Sequence, residues 1–206
     1  MADGNDTVSK IAAIILAAGE SSRFGKPKPL LQLHHKSLVR RIIGEAQAAN
    51  CGPIIVVTGN AHDKVKDDLR NDNVIIARNE NWRGGIGTSI RTGVQLLFQI
   101  RPEIDGVVLL VCDQPLVDAS TIRSLIDLRE TTRKAIVASR YAETLGVPAI
   151  FDRSCFHELA ALGSDSGAKA IILSNPDRVA AFGFPDGAVD IDTAEDYENF
   201  RDGRTS

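Results

Sequence analysis

No apolar stretch in this 206-residue chain approaches the roughly 18 residues needed to cross a bilayer, so a membrane-spanning helix is not expected. The opening MADGNDTVSK is polar and lacks the apolar centre of a signal peptide. Residues 1–10 are therefore expected to form a flexible tail, as are residues 201–206. Cysteine is scarce: Cys51, Cys112 and Cys155 lie far apart, with no C-x-x-C pair. Such scattered thiols suit a reducing cytoplasm better than a disulfide framework. The histidines, His34, His35, His62 and His157, show no H-x-x-x-H or H-E-x-x-H spacing, which argues against zinc. Adjacent His34 and His35 read as a polar turn. Basic runs are missing too, and a net charge of −3 argues against nucleic acid as a partner, which needs a basic face. The remaining composition, 43% hydrophobic and 25% charged, is that of an ordinary globular protein. Its length fits one domain of about 100–200 residues, expected over residues 11–200.

What the chain does have is concentrated in IAAIILAAGESSRFGKPKPLL, residues 11–31. Residues 11–17 are apolar on both alternating faces, as in a strand buried inside a parallel sheet. Ala18, Gly19, Ser21, Ser22 and Gly25 follow, all small, with Arg23, Lys26 and Lys28 beside them. Small residues let a backbone point its N–H groups at a ligand from close range, and the cations offset negative charge. The stretch reads as a site for a nucleotide's phosphates. It is not a Walker loop, because five residues separate Gly19 from Gly25 and Pro27 stands where Ser or Thr is required. Nor does it contain the G-x-G-x-x-G of dinucleotide-binding folds.

Further along, residues 37–50 carry apolar positions at helical spacing behind a capping Ser37. A strand over 54–57, a polar helix over 62–70 and a strand over 74–77 follow. This alternation predicts a three-layer α/β domain with a mostly parallel, Rossmann-like sheet. A helix is expected over 88–100, after the glycine-rich Gly84, Gly85 and Gly87. Trp82 could serve equally as a core plug or as a ligand contact, and Ser89 taken alone reads as a helix cap. The apolar strand over 106–111 ends at Asp113, beyond the carboxyl end where open sheets bind ligands. A carboxylate there can hold Mg²⁺, which takes one or two carboxylates plus phosphate oxygens. The alternative for Asp113, capping the next helix (120–130), is better filled by Asp118, Ser120 or Thr121. Strands are expected over 135–139 and 147–151, with Pro148 marking an edge or a bulge. Helices over 152–162 and up to residue 173 follow, the second capped by Asp165 and Ser166. A last strand over 188–191 precedes a Thr193–Asp196 capping box.

The run LAAGESSRFGKPKPLL resembles the signature loop of the nucleotidyltransferases that handle the molybdenum cofactor, within the wider sugar-phosphate nucleotidyltransferase group. The matching positions are Leu16, Ala17, Ala18, Gly19, Ser21, Arg23, Gly25, Lys28, Leu30 and Leu31, with Phe24 in place of Met. The resemblance implies a sheet of the nucleoside-diphosphate-sugar transferase type. It places the phosphate-binding lysine on Lys28 rather than Lys26. Asn79, Trp82, Gly85, Ser89, Ile90 and Gly93 match a second segment, which puts Gly85 and Ser89 in the nucleotide pocket. The family's metal-binding aspartate falls on Asp113, in a D-[MQ]-P motif, and Asp192 lies in a segment similar to D-I-D-T-P-E-D. Gly146-Val147-Pro148 stands where cytidylyltransferases of the group carry G-H-P, and Asp165 to Lys169 resembles G-D-x-G-A-[RK]. These two segments are the implied acceptor-binding residues.

Mg²⁺-dependent nucleotidyl transfer is the chemistry implied. An acceptor phosphate attacks the α-phosphorus of a nucleoside triphosphate and pyrophosphate leaves. Such a step rests on positioning and charge neutralisation. Lys28, Arg23 and Asp113 would be catalytic, with Mg²⁺ on Asp113 and Asp192. Guanylyl-transferring relatives read L-A-G-G where this chain has Leu16-Ala17-Ala18-Gly19, so CTP is favoured, with a molybdopterin-type acceptor and a molybdoenzyme as a further partner. The alternatives are a guanylyltransferase, a sugar-phosphate nucleotidyltransferase, or a cofactor carrier without catalysis.

Overall fold

The computed structural model describes residues 10–19 and 26–203. Strand β1 (Ile11–Ala17) is buried along almost its whole length, and its side chains alternate between the two sheet faces. Ala13, Ile15 and Ala17 join one apolar cluster, whereas Ala12 and Ile14 join another. A strand with no polar row is stable only where both faces are covered. Ile14 and Ile15 are fully buried, each favouring this placement by about 1.5–3 kcal/mol.

A hairpin of β2 (Gln32–Leu33) and β3 (Lys36–Ser37) follows. His34 and His35 turn it with φ of 48° and 66°, the left-handed pair that suits a two-residue hairpin. The expected polar turn is there. Then come α1 (Leu38–Ala48), β4 (Ile54–Thr58), α2 (His62–Asp68), β5 (Ile75–Arg78), α3 (Ile86–Ile100), β6 (Gly106–Val111) and α4 (Ala119–Thr132). The chain continues through β7 (Ile136–Tyr141), β8 (Thr144–Asp152), α5 (Phe156–Ala160), α6 (Ala168–Ser174), β9 (Val179–Gly183) and α7 (Ala194–Arg201). Ser37 caps α1 as expected, its hydroxyl accepting from the Arg40 N–H.

Seven strands make one sheet in the order β5-β4-β1-β6-β8-β7-β9. Within it β8 alone runs against its neighbours. Helices α1, α2, α4 and α7 cover one face, and α3, α5 and α6 the other. This is the three-layer, mostly parallel α/β domain that the alternation predicts. Helix α3 lies close on the sheet because residue 93 is glycine: a Cβ there would fall 2.8 Å from Ile14 Cγ2.

Local departures from the sequence reading have physical causes. Residues 188–191 are not a strand: a 3₁₀ turn spans Pro185–Ala188, and an Ile191 N–H bond to the Asp113 carbonyl holds the stretch that follows. The last strand is β9, unexpected from the sequence, paired with β7 at the sheet edge. Strand β8 is internal, so Pro148 does not mark an edge. It marks a bulge, since Ala138 pairs with Ala149 but Ser139 with Gly146. Helix α3 begins at Ile86, which puts Ser89 inside its first turn instead of at a cap. The helix expected over 152–162 is a 3₁₀ turn followed by the short α5. Asp165 and Ser166 do not cap α6; Gly167 holds that position with no side-chain bond.

Candidate active site

Strand order reverses at β1: the chain fills one side with β4 and β5, then returns to the other side with β6. Open α/β sheets bind ligands outside the carboxyl ends at such a switch point. A cleft lies there, lined by Leu16, Ala17, Ala18 and Gly19 from β1 and its loop, and by Val111, Cys112 and Asp113 at the end of β6. Lys28, Pro29, Trp82, Ile86 and Ser89 complete the lining.

Lys28 joins the two carboxylates that the sequence singles out. Its ammonium lies 3.1 Å from Asp113 Oδ2 and 2.8 Å from Asp192 Oδ1. Two contacts place Asp192 here. The Ile191 N–H donates to the Asp113 carbonyl at 2.9 Å, and Asp196 Oδ2 accepts from the Asp192 and Thr193 N–H groups. The Thr193 bond belongs to the Thr193–Asp196 capping box, present as read. Asp118 caps α4 by accepting from the Thr121 N–H, which leaves the Asp113 carboxylate free for the cleft. Desolvation pulls the Lys28 pKa down, yet Asp113 and Asp192 together outweigh it and hold it above the ordinary 10.5. The lysine is thus a firmly charged cation at ordinary pH.

Asp113 and Asp192 bring hard oxygen donors to one point, a donor set that fits Mg²⁺ or Mn²⁺. Among the described residues no three metal-capable side chains converge. Two carboxylates suffice where phosphate and water fill the other positions of an octahedral ion. Asp190 is a neighbour that the sequence reading passes over. Desolvation first, then the like charges of Asp113 and Asp192, push its carboxyl up to about 6.

A strand end and a helix start meet at Ser89. Asn79 follows β5 and is buried beside Thr88 and Ser89 of α3. Trp82 both lines the cleft and packs against the apolar cluster beneath it. Gly85 has φ of 90°, and a Cβ there would fall 2.3 Å from the Ser164 carbonyl oxygen. Its glycine is accounted for by that close approach, next to the cleft-lining Ile86. Ser21, Arg23 and Gly25 lie outside the described residues.

Next to Val147, Gln114 is a further residue the sequence reading did not assign, although it lies in the D-[MQ]-P motif. Its buried amide donates to the carbonyls of Val147 and Gly187 at 3.2 and 2.9 Å. The Tyr141 hydroxyl also donates to Val147, at 2.9 Å. This ties the Gly146-Val147-Pro148 bulge to the strand end that carries Asp113. A Cβ on Gly146 would fall 2.5 Å from the Tyr141 hydroxyl, and the Val147 side chain packs against the apolar cluster. Asp165 and Lys169 are exposed and are not among the residues lining the cleft.

An open α/β sheet with a small-residue loop at its switch point, facing a lysine and paired aspartates, defines a nucleotide-binding fold of the transferase type. Residues 13–179 match the MobA-like NTP transferase domain, and the chain belongs to that family. It is 31% identical over 135 residues to the bifunctional protein GlmU of Staphylococcus haemolyticus, a match covering 64% of this chain and 29% of that protein. The chain thus spans less than a third of the length of such relatives. Among solved structures it is similar to Rv0371c of Mycobacterium tuberculosis H37Rv, at 29% identity and a TM-score of 0.78, over 94% of this chain and 99% of the other. Rv0371c is also solved as a complex with manganese, at 28% identity, a TM-score of 0.76 and the same coverage. Molybdopterin-guanine dinucleotide biosynthesis protein A of Archaeoglobus fulgidus shares the fold, at 15% identity and a TM-score of 0.65, over 93% and 97% of the two chains.

Proposed function

We propose that this protein transfers a nucleoside monophosphate from a nucleoside triphosphate to a phosphate of its acceptor, releasing pyrophosphate. The observation that carries the reading is Lys28 between Asp113 and Asp192, beside the small-residue loop at the switch point. The acceptor phosphate is already anionic, so the step needs in-line positioning and neutralised charge more than a base. Lys28 would stabilise charge at the α-phosphate and Arg23 would hold the pyrophosphate portion. Ala17, Ala18, Gly19, Ser21 and Gly25 would offer backbone to the phosphates, and Gly85 and Ser89 would face the nucleoside. Asp113 and Asp192 would hold Mg²⁺, which supplies charge neutralisation between the α-phosphate and leaving oxygens. The Mn²⁺ complex of Rv0371c supports a divalent ion in this fold.

CTP is the favoured nucleotide, because Ala18 is one of the residues lining the cleft and guanylyl-transferring relatives carry glycine there. The favoured acceptor is molybdopterin-type, in keeping with the resemblance of the signature loop. Gly146, Val147 and Pro148 would face it, with Asp165 and Lys169 at its outer edge. The test is pyrophosphate release from CTP, GTP, ATP and UTP, with Mg²⁺ or Mn²⁺, with and without molybdopterin. Acceptor-dependent release that is fastest with CTP is expected. Absence of release from every nucleotide would overturn the transferase reading.

A further inference from the structure

Buried Asn79 bonds Ser89, one of the residues that line the cleft. Asn79 is 3% exposed, and both ends of its amide are engaged. Nδ2 donates one hydrogen to Thr88 Oγ1 at 2.8 Å and the other to Ser89 Oγ at 2.9 Å. Oδ1 accepts from the Asn81 N–H at 2.9 Å. These partners fix the direction of the amide. Turned over, its NH₂ would face the Asn81 N–H, and its oxygen would face a Thr88 hydroxyl whose proton already goes to the Gly85 and Asn81 carbonyls, at 2.7 and 3.0 Å.

The consequence falls on Ser89. A hydroxyl has one proton and two lone pairs, and Asn79 engages a lone pair. Among the described residues Ser89 Oγ has no acceptor for its own proton, and Ser89 lines the cleft beside Ala18 and Trp82. We infer that Asn79 sets the polarity of this contact: it presents Ser89 to the nucleoside as a hydrogen-bond donor, so the cleft selects an acceptor atom there, a ring carbonyl or a ribose oxygen. Asn79 is a positioning residue that determines specificity through Ser89. The inference rests on the reading of this cleft as the nucleotide site.

Asn79→Asp reverses the polarity. A carboxylate only accepts, so it draws the Ser89 proton away from the cleft and turns a lone pair toward the ligand. The test is calorimetric titration of each purified protein with CTP and Mg²⁺, without acceptor. Asn79→Asp is expected to weaken CTP binding by about 10–100-fold, the usual effect of leaving a buried polar group unpaired. Ser89→Ala should weaken it less. In the Ser89→Ala background the Asn79→Asp effect on CTP binding should largely disappear, because Asn79 does not itself line the cleft and reaches the ligand through that hydroxyl. Equal CTP affinity of Asn79→Asp and wild type, or losses that simply multiply in the double variant, would overturn the inference. Circular dichroism checks that each variant folds. If Asn79→Asp does not, Asn79→Ala carries the same test: its smaller loss must vanish beside Ser89→Ala, and independent losses overturn the inference. Wild type that binds no nucleoside triphosphate would instead overturn the proposed function, and this control separates the two failures.

Discussion

The Lys28 ammonium lies 2.8 Å from the Asp192 carboxylate, across 164 positions of sequence, and reaches Asp113 in the same grip. A divalent cation held by these carboxylates, as proposed above, would therefore compete with the lysine for the same oxygens. Lys28→Ala should bind Mn²⁺ more tightly than wild type without nucleotide, read by electron paramagnetic resonance of the free ion. The same change should lower turnover by about 10²–10³, the usual effect of losing one preorganised charge stabiliser. Lys26 is exposed, and Lys26→Ala should be mild in both assays. Equal effects of the two substitutions would show that Lys28 has been assigned wrongly.

The cap of α4 gives a pH prediction. Asp118 Oδ1 accepts from the Thr121 N–H at 2.8 Å and from the Ser120 hydroxyl at 2.9 Å. Desolvation tends to raise its pKa, but these bonds prevail and hold it below the ordinary 3.8. A carboxyl whose pKa is depressed on folding stabilises the fold above its unfolded value, and loses that contribution as pH falls through the folded one. Asp118→Ala should cost about 1 kcal/mol near neutral pH, and Asp118→Asn much less. Urea unfolding should show the gap between wild type and Asp118→Ala narrowing below about pH 4. A gap that is constant with pH would mean that the carboxylate's charge does not matter to the cap.

Two helical glycines should respond in opposite ways to one added methyl. A Cβ on Gly44 in α1 would have nothing within 4 Å, whereas a Cβ on residue 93 would meet Ile14 and Val57 at 2.8 and 3.0 Å. Gly44→Ala should stabilise by about 0.5–1 kcal/mol through helix propensity. Gly93→Ala should destabilise by about 1–3 kcal/mol, because it pushes α3 off the sheet. Thermal unfolding of the two variants reads the sign of each.

These contrasts also show what the sequence can disclose. Strands β1, β4 and β6 are legible because burial on both faces makes each a continuous apolar run. The Ser37, Asp118 and Thr193 caps are legible because a cap is a local event, settled within three or four residues. Strand β9 is not: its Val179, Ala180 and Phe182 are only partly buried at a sheet edge. Residues 188–191 resemble a strand because Ile191 is fully buried, yet a single bond to Asp113 takes the place of a ladder. Lys28, Asp113 and Asp192 are joined in sequence only by resemblance, since no spacing rule links positions so far apart. Gln114 acts through carbonyls 33 and 73 positions away, and Asn79 through a helix turn beyond a glycine loop. A lone amide carries no sign of such partners.

The thiols should be inert in the folded chain. Cys51, Cys112 and Cys155 are free and buried. Burial pushes the Cys51 thiol up to about 12. Burial and the Asp113 charge raise Cys112 further, against the pull of Lys28. Because the thiolate is the reactive form, Ellman's reagent at pH 8 should label the native protein slowly and release three equivalents only in denaturant. Fast labelling of native Cys112, located by peptide mapping, would show that the β6 end of the cleft opens more than its packing implies.

In the proposed function base choice would turn on Ala18, which is 5% exposed, follows β1 and lines the cleft. The methyl therefore narrows the floor on which a base would lie, and the smaller pyrimidine ring should gain. One carbon in an apolar pocket is worth about 1–3 kcal/mol, so the preference for CTP over GTP should be roughly 10–200-fold and not absolute. Ala18→Gly should raise GTP use relative to CTP by removing that carbon, with pyrophosphate release from each nucleotide as the measurement. If wild type used GTP as well as CTP, the steric argument would fail and guanylyl transfer would become the better reading of the same cleft.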